Sequence, residues 1–146
     1  MKKIFRTTNF AGTFIVRLIV GAVFLSEGVQ KFLFPDSVGV GRFIKIGIPA
    51  PEFFAPFVGC VEIICGTLVL LGIFTRIAAL LLIVNMTVAI LTTKIPILME
   101  SGFWKMAHDS RTDYSMILGS IYLLLFGGGM WSLDLLLFNL PNELKK

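Results

Sequence analysis

Two charged residues stand where charge is costly. Arg17 interrupts an otherwise uncharged run over residues 7–26, and Glu62 interrupts another over residues 53–75. Both runs are long enough to cross a bilayer. A charge at membrane depth costs about 2.5–3.5 kcal/mol on insertion scales, so such residues face a partner, a cavity or water. Helical periodicity puts Arg17, Gly21, Phe24, Gly28 and Lys31 on one stripe, with Glu27 beside it and four residues before Lys31. That is the favourable order for an ion pair. A second segment carries Gly59, Glu62 and Gly66 on one face. Packing the two glycine-bearing faces together turns the charges inward. Glu62 then lies roughly 12–14 Å from one end of its helix, Glu27 about 9 Å from the same side and Arg17 about 10 Å from the other. Arg17, Glu27, Lys31 and Glu62 form a charge-balanced cluster on this reading. Asn85 and Tyr122, each in mid-segment, either hydrogen-bond between helices or complete a small polar site around it. Two roles stay open for the cluster: an ion pair that fixes helix register, and a site for a small amphipathic ligand with a ring head, such as a quinone.

The elements that position these residues follow from composition. The chain has 146 residues, 56% of them hydrophobic and 15% charged, with a mean hydropathy of +0.89. A water-soluble core of this size could not hide so much apolar surface, whereas lipid solvates the outside of membrane helices. Polar–apolar alternation is absent, which argues against a barrel. The sequence predicts one domain over 1–146, an all-α integral membrane bundle with helices near 10–33, 53–74, 76–95 and 113–133. Pro35 ends the first helix. Residues 37–46 suit a short interfacial helix, and the brief turn at 72–76 predicts an antiparallel hairpin. Pro96 is read as ending the third helix. Residues 99–112 are then a loop in which Trp104, His108 and Arg111 meet a protein partner. The basic residues divide evenly between the two sides. Lys2, Lys3 and Arg6 precede the first helix without an acidic neighbour, which favours both termini inside. Together with Lys145 and Lys146 they suit an anionic membrane face, and nucleic acid is not an expected partner.

The remaining reactive residues offer little chemistry. Cys60 and Cys65 point about 140° apart on a helix, too far for a disulfide. They read as small apolar residues. His108 is the only histidine, so a bis-histidine haem has no ligand pair, and Cys-x-x-Cys-His is absent. No metal site and no tightly bound cofactor are expected. Any electrons must come from a partner subunit.

The motif Arg17-Leu18-x-x-Gly21-x-x-Phe24-x-x-x-Gly28-x-x-Lys31-x-x-x-Pro35 resembles the opening signature of the DoxX family. So do Gly47-Ile48-Pro49-x-Pro51 followed by Gly59-x-Val61-Glu62-x-x-x-Gly66, the turn from Leu70 to Arg76, and Gly127-x-Gly129-x-x-Ser132-Leu133-Asp134. The resemblance implies a four-helix, multi-pass protein of the bacterial inner membrane. Some members are tied to thiosulfate:quinone oxidoreductase or to redox complexes with a sulfurtransferase and a superoxide dismutase. Others in the superfamily serve assembly or trafficking. The resemblance therefore implies an accessory subunit of a membrane redox complex that contacts quinone. A non-enzymatic scaffold and a small-solute or proton pathway are the alternatives, so an enzymatic role of its own is left open.

Overall fold

The computed structural model describes residues 10–139. The predicted basic flanks Lys2, Lys3, Arg6, Lys145 and Lys146 lie outside them. The elements are α1 (Gly12–Leu33), α2 (Val40–Lys45), α3 (Pro51–Leu71), α4 (Thr75–Asp109) and α5 (Arg111–Phe126), then a π-helical turn at Leu135–Asn139. The four long helices close in the order α1, α3, α4, α5, with α5 returning to α1. Their outer faces expose Ile15, Ile19, Ile64, Leu80, Leu81, Val84, Leu91 and Leu118, and their core holds Val20, Phe24, Val69, Leu82 and Leu123. The protein is a multi-pass α-helical membrane bundle. Both ends of the described segment approach one end of it, and α2 caps the other.

Two pairs of glycines set the α1–α3 contact. A Cβ on Gly66 would sit 2.7 Å from the Leu25 amide nitrogen and 2.9 Å from the Gly21 carbonyl oxygen. One on Gly28 would sit 2.8 Å from the Gly59 carbonyl oxygen. Lipid tails are as apolar as side chains, so this close backbone packing, not a hydrophobic effect, holds membrane helices together.

Helix boundaries depart from the sequence reading in two places. Residues 99–112 are not a loop, because α4 runs through Pro96 to Asp109 and breaks only at Gly102 (φ 79°, ψ 175°). Proline removes one helical hydrogen bond, here the one to the Thr92 carbonyl, a loss that membrane helices tolerate. Thr92 and Thr93 donate to the Val88 and Ala89 carbonyls one turn earlier. In turn, α5 stops at Phe126 rather than near 133. Gly127 (φ 77°, ψ −160°) ends it, and residues 127–134 fold back so that Ser132 and Asp134 are buried.

That returning segment is held by a knot at the termini end. The Arg17 side chain, 1% exposed, donates to five carbonyl oxygens. Nε meets Val69 at 2.9 Å and Nη2 meets Leu70 at 2.6 Å. Nη1 meets Gly128 at 3.2 Å, Trp131 at 3.1 Å and Met130 at 3.4 Å. Gly72, at φ 67°, closes α3 in a Schellman turn through Gly72 N–H to Val69 and Ile73 N–H to Leu68. From the other direction, the Asp134 carboxylate accepts the Phe74 and Thr75 amides at 2.8 and 3.0 Å. It thereby caps the free N–H groups at the start of α4. Phe74 (φ 49°) and Trp131 (φ 55°) are left-handed without being glycine. Such backbone costs about 1–3 kcal/mol per residue and persists only where its surroundings over-determine it. Here Asp134 holds one and Arg17 the other.

Three outcomes follow for thermal unfolding in detergent. Gly66→Leu forces α1 from α3 and lowers stability by about 1–3 kcal/mol or more, while lipid-facing Ile64→Leu leaves the midpoint unchanged. Arg17→Lys cannot fill five acceptors with three donors and loses at least ~2 kcal/mol, because each abandoned buried acceptor costs about 1–3 kcal/mol. Asp134→Asn, which turns a donor toward one capped amide, loses about 1 kcal/mol.

Candidate functional site

Glu62 projects from the middle of α3 into the half of the bundle beneath α2. Lys31, in the last turn of α1, places Nζ 2.5 Å from Glu62 Oε2. Asn85 of α4 donates from Nδ2 to Glu62 Oε1 at 2.8 Å. Three helices thus converge on one carboxylate, and the Lys31 and Glu62 side chains are only 9% and 7% exposed. The glycine contacts explain the convergence. Gly28 lies one turn before Lys31 and Gly59 one turn before Glu62, and their close approach brings the following side chains together.

The trio borders a cavity of about 320 Å³. Val23, Phe24, Met86 and Met116 form apolar walls, and Phe43 and Ile46 of the α2 region roof it. Glu27 lines the same space. Lys31 forms its ion pair with Glu62 rather than with Glu27. Toward the α2 end the lining becomes polar, with Arg42, Thr92, Thr93, Lys94 and Asp113. Lys94 bonds Asp113 across α4 and α5 at 2.9 Å and donates to the Asp109 carbonyl at 2.8 Å. The arrangement joins apolar walls to a few convergent donors and acceptors, in a volume at the lower end of the usual range for small-molecule sites. It can hold a compact polar head and offer it an ammonium, a carboxamide and a carboxylate.

The structure divides the residues predicted to cluster. Glu27, Lys31, Glu62 and Asn85 share the cavity. Arg17 does not, since its donors are taken up by backbone at the opposite end. Tyr122 is also elsewhere, with its hydroxyl 3.0 Å from Thr13 Oγ1. Trp104, His108 and Arg111 lie outside the cavity, on the helical arm around and beyond Gly102. Trp104 is 84% exposed, and His108 Nε2 lies 3.3 Å from Arg111 Nη1. Sequence reasoning missed Asp113, Arg42 and Lys94 as lining residues. The available signal was a pair of opposite charges, Lys94 near the end of one predicted helix and Asp113 at the start of the next.

Comparison with known proteins agrees with this architecture. The DoxX family model matches residues 12–95, which include α1, α2, α3 and the trio. An uncharacterised membrane protein of Mycobacterium tuberculosis is 58% identical over 125 residues, covering 82% of this chain and 77% of its own. A Bacillus subtilis protein named "Putative oxidoreductase CatD" is 33% identical over 127 residues, covering 87% of each. No solved structure matches the chain significantly. With its glycine-packed α1–α3 pair and a family match over more than half its length, the chain belongs to the DoxX family of membrane proteins.

Proposed function

We propose that this protein is an accessory membrane subunit of a redox complex and that its cavity receives the head of a quinone. The observation that carries the reading is the convergence of Lys31, Glu62 and Asn85 on an apolar-walled cavity of about 320 Å³. A quinone presents two carbonyl acceptors on a flat ring. Asn85 Nδ2 and Lys31 Nζ are donors placed to meet one of them by turning from Glu62. Glu62 is then free to exchange a proton with the bound ring as its redox state changes. The name given to the Bacillus subtilis relative is in keeping with this chemistry. Electrons come from a partner subunit, and this chain holds and orients the carrier they reach.

A scaffold role is the second reading. The edge-to-face pair Phe103 and Trp104, with centroids 5.3 Å apart, stands exposed on the arm beyond Gly102. In that case the arm docks a partner and the trio only fixes helix register.

Titration of the purified protein with decylubiquinone, followed by intrinsic fluorescence, separates the two. Asn85→Leu removes one donor and leaves a buried acceptor unpaired, so affinity falls by about 1–3 kcal/mol, roughly five- to a hundredfold. Tyr122→Phe, remote from the cavity, leaves affinity unchanged. Absence of binding by the native protein, or equal binding by Asn85→Leu, rules the quinone reading out. If Trp104→Ala then releases a partner that co-purifies with the native protein, the scaffold reading replaces it.

A further inference from the structure

On α4, the buried residues are Thr75, Ala78, Ala79, Leu82 and Met86, and none follows Met86 among the described residues. The helix therefore packs tightly near the termini end and stands away from the bundle core toward α2. Asn85 reaches Glu62 on α3, so this side of α4 faces α3. One turn nearer to α2, the facing positions are Val58 on α3 and Val88 on α4, and both line the cavity. Val88 is also 50% exposed, on a helix face that otherwise meets lipid. A residue that both lines a cavity and faces the hydrocarbon marks an opening between them. The rim at this point is apolar, with Val58, Val88 and Ala89. The polar groups Arg42, Lys94 and Asp113 lie instead toward the α2 end of the cavity.

From this we infer that the cavity has a lateral portal between α3 and α4, through which its ligand comes from the bilayer with a hydrocarbon tail trailing in the lipid. The inference rests on the proposed binding site and names its ligand class: a lipid-soluble molecule with one compact polar head and an apolar chain. An apolar rim favours the passage of a chain and disfavours a charged solute, which would lose its hydration there without gaining partners. Once inside, the head meets the donors and the carboxylate of the trio. The chain stays in the gap, where lipid solvates it at little cost.

The test uses the full chain in phosphatidylcholine nanodiscs. These contain a small fraction of a long-chain alcohol bearing a diazirine beside its hydroxyl head. On illumination, Met86 and Met116, both buried and both lining the cavity, are expected to carry label. Val88→Trp fills the gap and lowers that label several-fold, and Val58→Trp does the same from the α3 side should Val88→Trp fold poorly. Leu81→Trp, a lipid-facing change outside the cavity, leaves it unchanged. Label confined to Leu81, Val84 and Leu91, or label on Met86 and Met116 that both tryptophan variants leave undiminished, overturns the portal. Decylubiquinone added in excess displaces the label from Met86 and Met116. Cavity labelling that decylubiquinone does not displace keeps the portal and removes the quinone reading.

Discussion

The guanidinium of Arg17 brings its N–H donors into a place that water does not reach, where they need acceptors. Among the described residues no carboxylate forms an ion pair with it. It takes backbone carbonyls instead, two from the end of α3 and three from the segment after α5. This requirement shapes one whole end of the molecule. Residue 127 must end α5 early, the chain must turn back, and the carbonyls of 128, 130 and 131 must point at α1. Asp134 then arrives beside the α3–α4 turn, where it caps α4. Its negative charge also lies in the same region as the guanidinium, so the buried cation is not left without a counter-charge.

With that end fixed, the other is free to open. The Schellman turn and the Asp134 cap pin α3 and α4 together at Gly72, and the glycine pairs pin α1 to α3 along their length. The remaining freedom lies in α4 beyond Met86. The Lys94–Asp113 ion pair and the arm after Gly102 keep that half of α4 tied to α5 while it leaves the core. Glu62, Lys31 and Asn85 border the resulting wedge. The site is the space left by one tightly tied end and one splayed end.

Much of this was legible in the sequence. Apolar runs of spanning length gave the bundle, and the stripes of Gly21 with Gly28 and of Gly59 with Gly66 gave the α1–α3 face, because glycine spacing reports close backbone approach directly. Lys31 and Glu62 followed, since they ride on the same stripes. The partner of Arg17 was not legible. A charge prompts a search for an opposite charge, and backbone carbonyls leave no mark in a sequence. Tyr122 takes the first of the two roles read for it, a hydrogen bond between helices; the sequence could not choose between them, because position in a segment gives depth but not the direction a side chain faces. The extension of α4 was hidden by Pro96, which ends most helices in water but is tolerated inside membrane helices.

The knot also gives the molecule a direction across the membrane. Below the trio, Val20, Cys65, Val69, Leu82 and Leu123 are packed without exposed surface, and beneath them Arg17 and Asp134 close the floor. The cavity is a blind chamber. The space beside Lys31, Glu62 and Asn85 therefore lies in the half that α2 covers and is closed toward the other end. The opposite face can sense occupancy only through the helices themselves. The described helices thus form a vessel closed at one end.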